Sequence, residues 1–161
     1  MHRGFESERH AFERLGLSEP QVSEDELVRE FDGRVPEGIF TVESKVLSVE
    51  VKRIVGNSLP KGGGGRRRIT RMVDGRKRIV WPWTSSVETA LSKLSDAVAE
   101  RYNVCEHHAV FLIPTSLPSA AKQRTIQHIV HTADRYLGRN IVQTKVRYHI
   151  FETEDRFFDR F

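Results

Sequence analysis

The chain has one cysteine, Cys105, in 161 residues. An internal disulfide is therefore excluded, and a reducing setting is expected. Long apolar runs are lacking too. The longest, Ala109 to Ile113, falls far short of the roughly 20 residues of a membrane span. The opening Met1-His2-Arg3-Gly4 has no apolar signal-peptide core, so a cytoplasmic location is expected. Several chemistries lack their signatures. There is no Cys-x-x-Cys pair and no His-Glu-x-x-His for zinc, and no Gly-x-Ser-x-Gly elbow for a serine nucleophile. Gly62 to Gly65 is not followed by Gly-Lys-Ser/Thr, so it is no phosphate-binding P-loop. The seven histidines, His107-His108 and the spaced pair His128 and His131 among them, are read as structural. No internal repeat is present.

What is there suits one globular domain over residues 1–161. Hydrophobic residues make up 38% and charged residues 30%, and the length supports a buried core without staples. Within it, 56–84 reads as a basic Gly/Arg-rich insertion and 152–161 as a tail. The net charge of +4 hides an uneven distribution. From Lys52 to Arg78 there are ten basic residues and one acid, Asp74, a local charge of +9, so the remainder carries −5. A basic segment on an acidic chain is the electrostatic footprint a polyanion partner requires, although a solvated linker would look the same.

Periodicity gives the elements. Phe5, Ala11, Phe12 and Leu15 share one face of a helix over Phe5 to Leu15, stopped by Gly16. Glu26 to Asp32 predicts a strand. Ile39 to Val42 and Val46 to Ile54 predict two more, joined by a tight turn near Glu43-Ser44. Ile69 to Met72 and Arg78 to Trp81 predict a hairpin about Asp74-Gly75. Ser85 and Glu88 form a capping box for a helix burying Val87, Leu91, Leu94, Val98 and Tyr102. A buried strand over Ala109 to Thr115 follows, then a helix over Ser119 to Leu137 stopped by Gly138, then a strand over Val142 to Phe151. The hairpin aside, the order is helix, three strands, helix, strand, helix, strand. It predicts an α/β fold with a central mixed sheet flanked by helices.

Three carboxylates stand where carboxylates are costly. Glu8 falls at the centre of the apolar face of the first helix. Glu50 and Lys52, two apart on a strand, leave one face together, while Leu47, Val49 and Val51 leave the other. If the hairpin is centred on Glu43-Ser44, opposite residues sum to 87 and Glu37 faces Glu50. Opposed carboxylates about 4.5–5.5 Å apart at Cβ repel each other. A divalent cation between them would remove the penalty, and oxygen-only ligation suits magnesium or manganese.

Pro36-Glu37, twelve residues, then Glu50-Val51-Lys52 resembles the PD-(D/E)XK nuclease signature, with spacing close to that of archaeal Holliday-junction resolvases. Gly4, four residues before Glu8, is similar to the start of their first helix. The resemblance covers roughly Gly4 to Thr115. It implies a restriction-endonuclease-like core (αβββαβ) with an extra C-terminal helix and strand, hence a single nuclease-like domain. The Asp usual in the first motif is Glu37 here, a longer carboxylate in the same role. The segment from Ile54 to Thr84 is longer than compact resolvases have, and Ser119 to Phe151 lies outside the match.

The resemblance implies metal-dependent hydrolysis of phosphodiester bonds in DNA, branched or structured DNA among the candidate substrates. Glu37 and Glu50, with the Val51 carbonyl, would hold Mg2+ or Mn2+. Lys52 would orient water or stabilise charge on the phosphate, and Glu8 would reach the site from the first helix. Arg53, Lys61, Arg66, Arg67, Arg68, Arg71, Arg76, Lys77 and Arg78 would grip phosphates. Trp81 and Trp83 could stack on unpaired bases or anchor their loop on the core. RNA stays open as a substrate, because phosphate contacts do not distinguish it from DNA. A homodimer follows from the resemblance alone. The alternative function is a non-catalytic nucleic-acid-binding module on the same fold.

Overall fold

A computed structural model describes residues 3–31, 33–54, 69–73, 75–80 and 82–158, without the side chains of 3–5, 69–73, 76–80, 82–85 and 157. The order is α1 (Arg3–Arg14), β1 (Val22–Ser23), α2 (Glu24–Phe31), β2 (Gly38–Val42), β3 (Lys45–Arg53), β4 (Ile69–Val73), β5 (Arg76–Val80), α3 (Pro82–Ser92), α4 (Asp96–Tyr102), β6 (Glu106–Pro114), α5 (Ser119–Arg139) and β7 (Lys145–Thr153). Five strands form one mixed sheet in the order β1-β2-β3-β6-β7. The pairs β1/β2 and β2/β3 are antiparallel, while β3/β6 and β6/β7 are parallel. Helical crossovers separate the parallel strands, α3 and α4 before β6 and α5 before β7, as that geometry demands. The α/β class and the helix-flanked mixed sheet therefore stand.

Strand β6 is the centre. From Ala109 to Ile113 every residue is fully buried, because helices cover both faces of the sheet. On one face Ala109, Phe111 and Ile113 pack with Val87, Leu91, Leu94, Ile129 and Ala133 of the α3–α5 side. On the other, Val110 and Leu112 pack with Val49 and Val51 of β3, with Ala11 and Phe12 of α1, and with Phe158 beyond β7. A third cluster joins Leu27 of α2 to Val98 and Ala99 of α4.

The β2–β3 turn is tight, with Glu43 and Ser44 both at positive φ, 47° and 73°. Two such residues set the twist that antiparallel strands need. The register that results pairs Val42 with Lys45 and Gly38 with Val49, the sum of 87 expected from the turn. Helix α1 ends as expected. Gly16 takes φ +76°, and the Leu17 N–H donates to the Phe12 carbonyl, 2.8 Å away, across it.

Four expectations are corrected. Glu26 to Asp32 is not a strand: the described part is helical, in α2. Ser23 Oγ accepts from the Glu26 N–H while Glu26 Oε1 accepts from the Ser23 N–H, a capping box, and Leu27 becomes the buried anchor. Ser85 does not cap a helix, because α3 begins three residues earlier at Pro82, a residue suited to a first turn. The long helix to Tyr102 is two helices. Ser95 caps the second by accepting from the Val98 N–H, although Val87, Leu91, Leu94 and Val98 are buried as expected. Gly138 lies inside α5, which runs on to Arg139, rather than stopping it.

The expected hairpin forms from β4 and β5, with Arg71 in register with Arg78 and Val73 with Arg76. No described helix is long and apolar enough to cross a membrane.

Candidate active site

Strand β3 outruns β2. Its pairing to β2 ends at Gly38↔Val49, whereas its pairing to β6 continues through Glu50, Val51, Lys52 and Arg53. Its last residues thus border an open edge of the sheet. The chain entering β2 supplies Glu37 beside this edge. The Glu37 N–H donates to the Val49 carbonyl, 2.8 Å away, holding it just past the last rung, Gly38↔Val49. Gly38 follows because nothing larger fits: a Cβ there would lie 2.8 Å from the Pro20 side chain.

At this edge lies a cleft of about 210 Å³ lined by Ser7, Glu8, Glu37, Glu50, Val51, Lys52, Arg53 and Lys93. Glu8, Glu37, Glu50 and Lys52, drawn from a helix, a strand entrance and a central strand, therefore meet in one place. Arg53, expected among the phosphate-gripping residues, lines the same wall. A second pocket of about 390 Å³ adjoins it, sharing Glu8 and Glu37 and adding Glu19, Glu24 and Asp25.

Glu50 is the anomaly. It is 1% exposed, and neither of its carboxylate oxygens has a hydrogen-bond partner. The Lys93 ammonium sits 3.0 Å from Oε2. It neutralises charge there without a properly directed hydrogen bond. Burial pushes the Glu50 carboxyl up from its ordinary value, and Lys93, then Lys52, pull it back. Glu37 is pushed up further. Burial is the first cause, followed by the Glu50 charge, a hydrogen bond to the Glu24 side chain, and the Glu8 charge. Burial lowers Lys93, but the adjoining Glu50 carboxylate together with the charges of Glu37 and Glu24 outweighs it and holds the ammonium up.

The structure adds residues that sequence reasoning missed. Glu24 enters through α2, and the signal was readable: Ser23 and Glu26 are a capping box, which starts a helix at Glu24. Lys93 enters because α3 stops at Ser92, and the sign of that stop was the second cap, Ser95. Ser7, buried at 1% exposure, carried no signal.

Other expected residues lie elsewhere. Lys61, Arg66, Arg67 and Arg68 fall outside the described residues, as does Trp81. Arg71, Arg76, Lys77 and Arg78 belong to β4 and β5, and their side chains, like that of Trp83, fall outside the description too. Among the histidines, His107 is fully buried with Nδ1 against Ser48 Oγ, and burial lowers it to about 4, so it stays neutral at physiological pH. His108 bridges Glu106 and His149 at 3.0 and 2.9 Å, two strands away from the cleft's Glu37.

Among the described residues, no three His, Cys, Asp or Glu side chains are arranged to hold a metal ion. Two carboxylates and a backbone carbonyl remain. Magnesium commonly takes one or two carboxylates and fills its shell with water and substrate phosphate. The buried Glu50 oxygens without hydrogen-bond partners fit such an ion. No protein-family model matches the chain, and no curated protein or solved structure matches it either.

Proposed function

We propose that this chain is a Mg2+- or Mn2+-dependent endonuclease that hydrolyses phosphodiester bonds in DNA, branched or structured DNA included, on a restriction-endonuclease-like core. The observation that carries the reading is the meeting of Glu8, Glu37, Glu50 and Lys52 at one open sheet edge. The element order supports it: a helix, an antiparallel β1-β2-β3 meander, helices, then a strand parallel to β3. Helix α2 and the β4–β5 hairpin are additions to that plan, and α5 and β7 extend it.

Glu37, Glu50 and the Val51 carbonyl would hold the ion. Bound there, it would polarise the scissile phosphate and acidify water beside it. The chain's own groups do the rest. Lys52 leaves the same face of β3 as Glu50, and its ammonium donates to charge building on the phosphate. Glu8, reaching the cleft from α1, would accept a proton from water entering it. Arg53 in the cleft lining, with the basic residues between Lys61 and Arg78, would grip phosphates of the bound strand.

The test is a cleavage assay with Mg2+ on linear duplex, single-stranded and four-way-junction DNA. Cutting that depends on Mg2+ and falls about a hundredfold or more in Lys52→Ala supports the reading. Salt-dependent DNA binding without cutting would instead make the chain a non-catalytic nucleic-acid-binding module. Neither cutting nor binding would end both readings.

A further inference from the structure

The cleft contains a cation of its own. Lys93 Nζ lies 3.0 Å from Glu50 Oε2. We infer that Lys93 is a tethered stand-in for the divalent ion, holding Glu50 while the metal is absent and giving way when it binds. This rests on the metal reading of the cleft.

The two partners differ in freedom. Glu50 is fixed on β3, between β6 and the open edge, with its side chain 1% exposed. Lys93 sits just past the end of α3, its backbone pinned by an N–H bond to the Ala90 carbonyl at 3.2 Å. Its side chain is 25% exposed. A flexible four-carbon stem there can swing its ammonium to solvent at little cost. So the carboxylate stays and the amine moves.

A buried carboxylate needs a positive partner. One monovalent ammonium meets that need at one oxygen and leaves the second without a hydrogen bond. A divalent ion carries twice the charge and can also draw on Glu37, which lines the same cleft. Replacement of one by the other is thus favourable, but the ammonium must first be removed. Lys93 lowers metal affinity as a competitor does. It also lets the metal-free chain fold around a carboxylate that would otherwise be stranded. By linkage, whatever Lys93 contributes to the metal-free state is subtracted from metal binding.

The test is Mn2+ titration of the full chain at pH 8, read by the loss of the free-ion electron-spin signal. Lys93→Met keeps the stem and removes the charge. It is expected to tighten Mn2+ binding about tenfold or more. Lys93→Arg, which keeps the charge, should stay within about threefold of wild type. If Lys93→Met unfolds without metal, its refolding on Mn2+ addition, with a melting temperature that rises with ion concentration, is the supporting result. Wild type that binds Mn2+ as tightly as Lys93→Met would overturn the inference and leave the metal reading standing. A raised KM for DNA with unchanged Mn2+ affinity would do the same, making Lys93 a phosphate contact. No Mn2+ binding by wild type or Lys93→Met would overturn the metal reading itself, and the inference with it.

Discussion

Replacing Glu50 with alanine is expected to reduce Mg2+-dependent cleavage by on the order of a thousandfold or more, measured as kcat/KM on the substrate that wild type cuts best. The size follows from the position of Glu50. It is the cleft carboxylate with the least access to water, and both its oxygens lack hydrogen-bond partners. No neighbour can take its place by a small movement, because Glu37 approaches from a different strand and Glu8 from a helix. The fold should survive the change. Without Glu50, the Lys93 ammonium is left alone at 25% exposure and can turn outward to water. Circular dichroism and a melting curve near those of wild type would show that the loss is chemical. Retention of more than about a tenth of the activity would mean that Glu50 does not hold the ion. Glu50→Gln, closer in shape, should behave in the same way.

The second large effect concerns stability, and its sign is unusual for a carboxylate. Burial, and then the charge of Glu50, raises Glu37 above its ordinary value in the folded chain. A carboxyl raised on folding binds its proton more tightly in the folded state than in the unfolded one. Its contribution is therefore intact below the unfolded value, near pH 4.5, and is lost as pH rises toward the folded value. The metal-free protein should thus become less stable from about pH 5 upward. Glu37→Gln, which removes the titration, should stabilise it by about 1–3 kcal/mol at pH 8 and flatten that slope. Urea unfolding in a chelator at several pH values reads both quantities. The gain should vanish with saturating Mg2+, because the proposed ion would stabilise wild type through the very carboxylate the variant lacks. If Glu37→Gln is destabilising at pH 8 without metal, then Glu37 is held by favourable contacts and the strain assigned to the cleft is absent.

Much of this site was legible before the fold was known, and for a definite reason. The β2–β3 hairpin has a two-residue loop, so its register follows from the loop's position alone; counting outward from Glu43 and Ser44 gives the ladder as far as Gly38↔Val49, and Glu37, next in the chain, lines the same cleft as Glu50. A strand's period of two then put Lys52 on the same face as Glu50. Glu8 stood out because helical periodicity placed it among Phe12, Ala11 and Leu15, and it does reach the cleft. What failed has an equally plain origin. In Glu26-Leu27-Val28-Arg29-Glu30-Phe31, apolar positions at 27, 28 and 31 fit a helix as well as a half-buried strand, and the cap at Ser23 decided for the helix. That error hid Glu24. Lys93 was hidden because an unbroken apolar series from Val87 to Tyr102 continues in phase across the turn between α3 and α4. Tertiary packing preserves the apolar stripe even where the helix stops, so a break of this kind leaves no gap in the pattern.

Six of the residues that line the cleft are charged at ordinary pH when free in water, and three of those are acids. On the proposed function, this crowding persists because a divalent ion belongs there. Calorimetric titration of Mg2+ into the full chain at pH 8, for wild type and for Glu50→Gln, tests that claim most directly. Wild type should bind about one or two ions per chain with protons released as they enter, and Glu50→Gln should bind none in the same concentration range. Silence from wild type, or equal binding by both proteins, would contradict it.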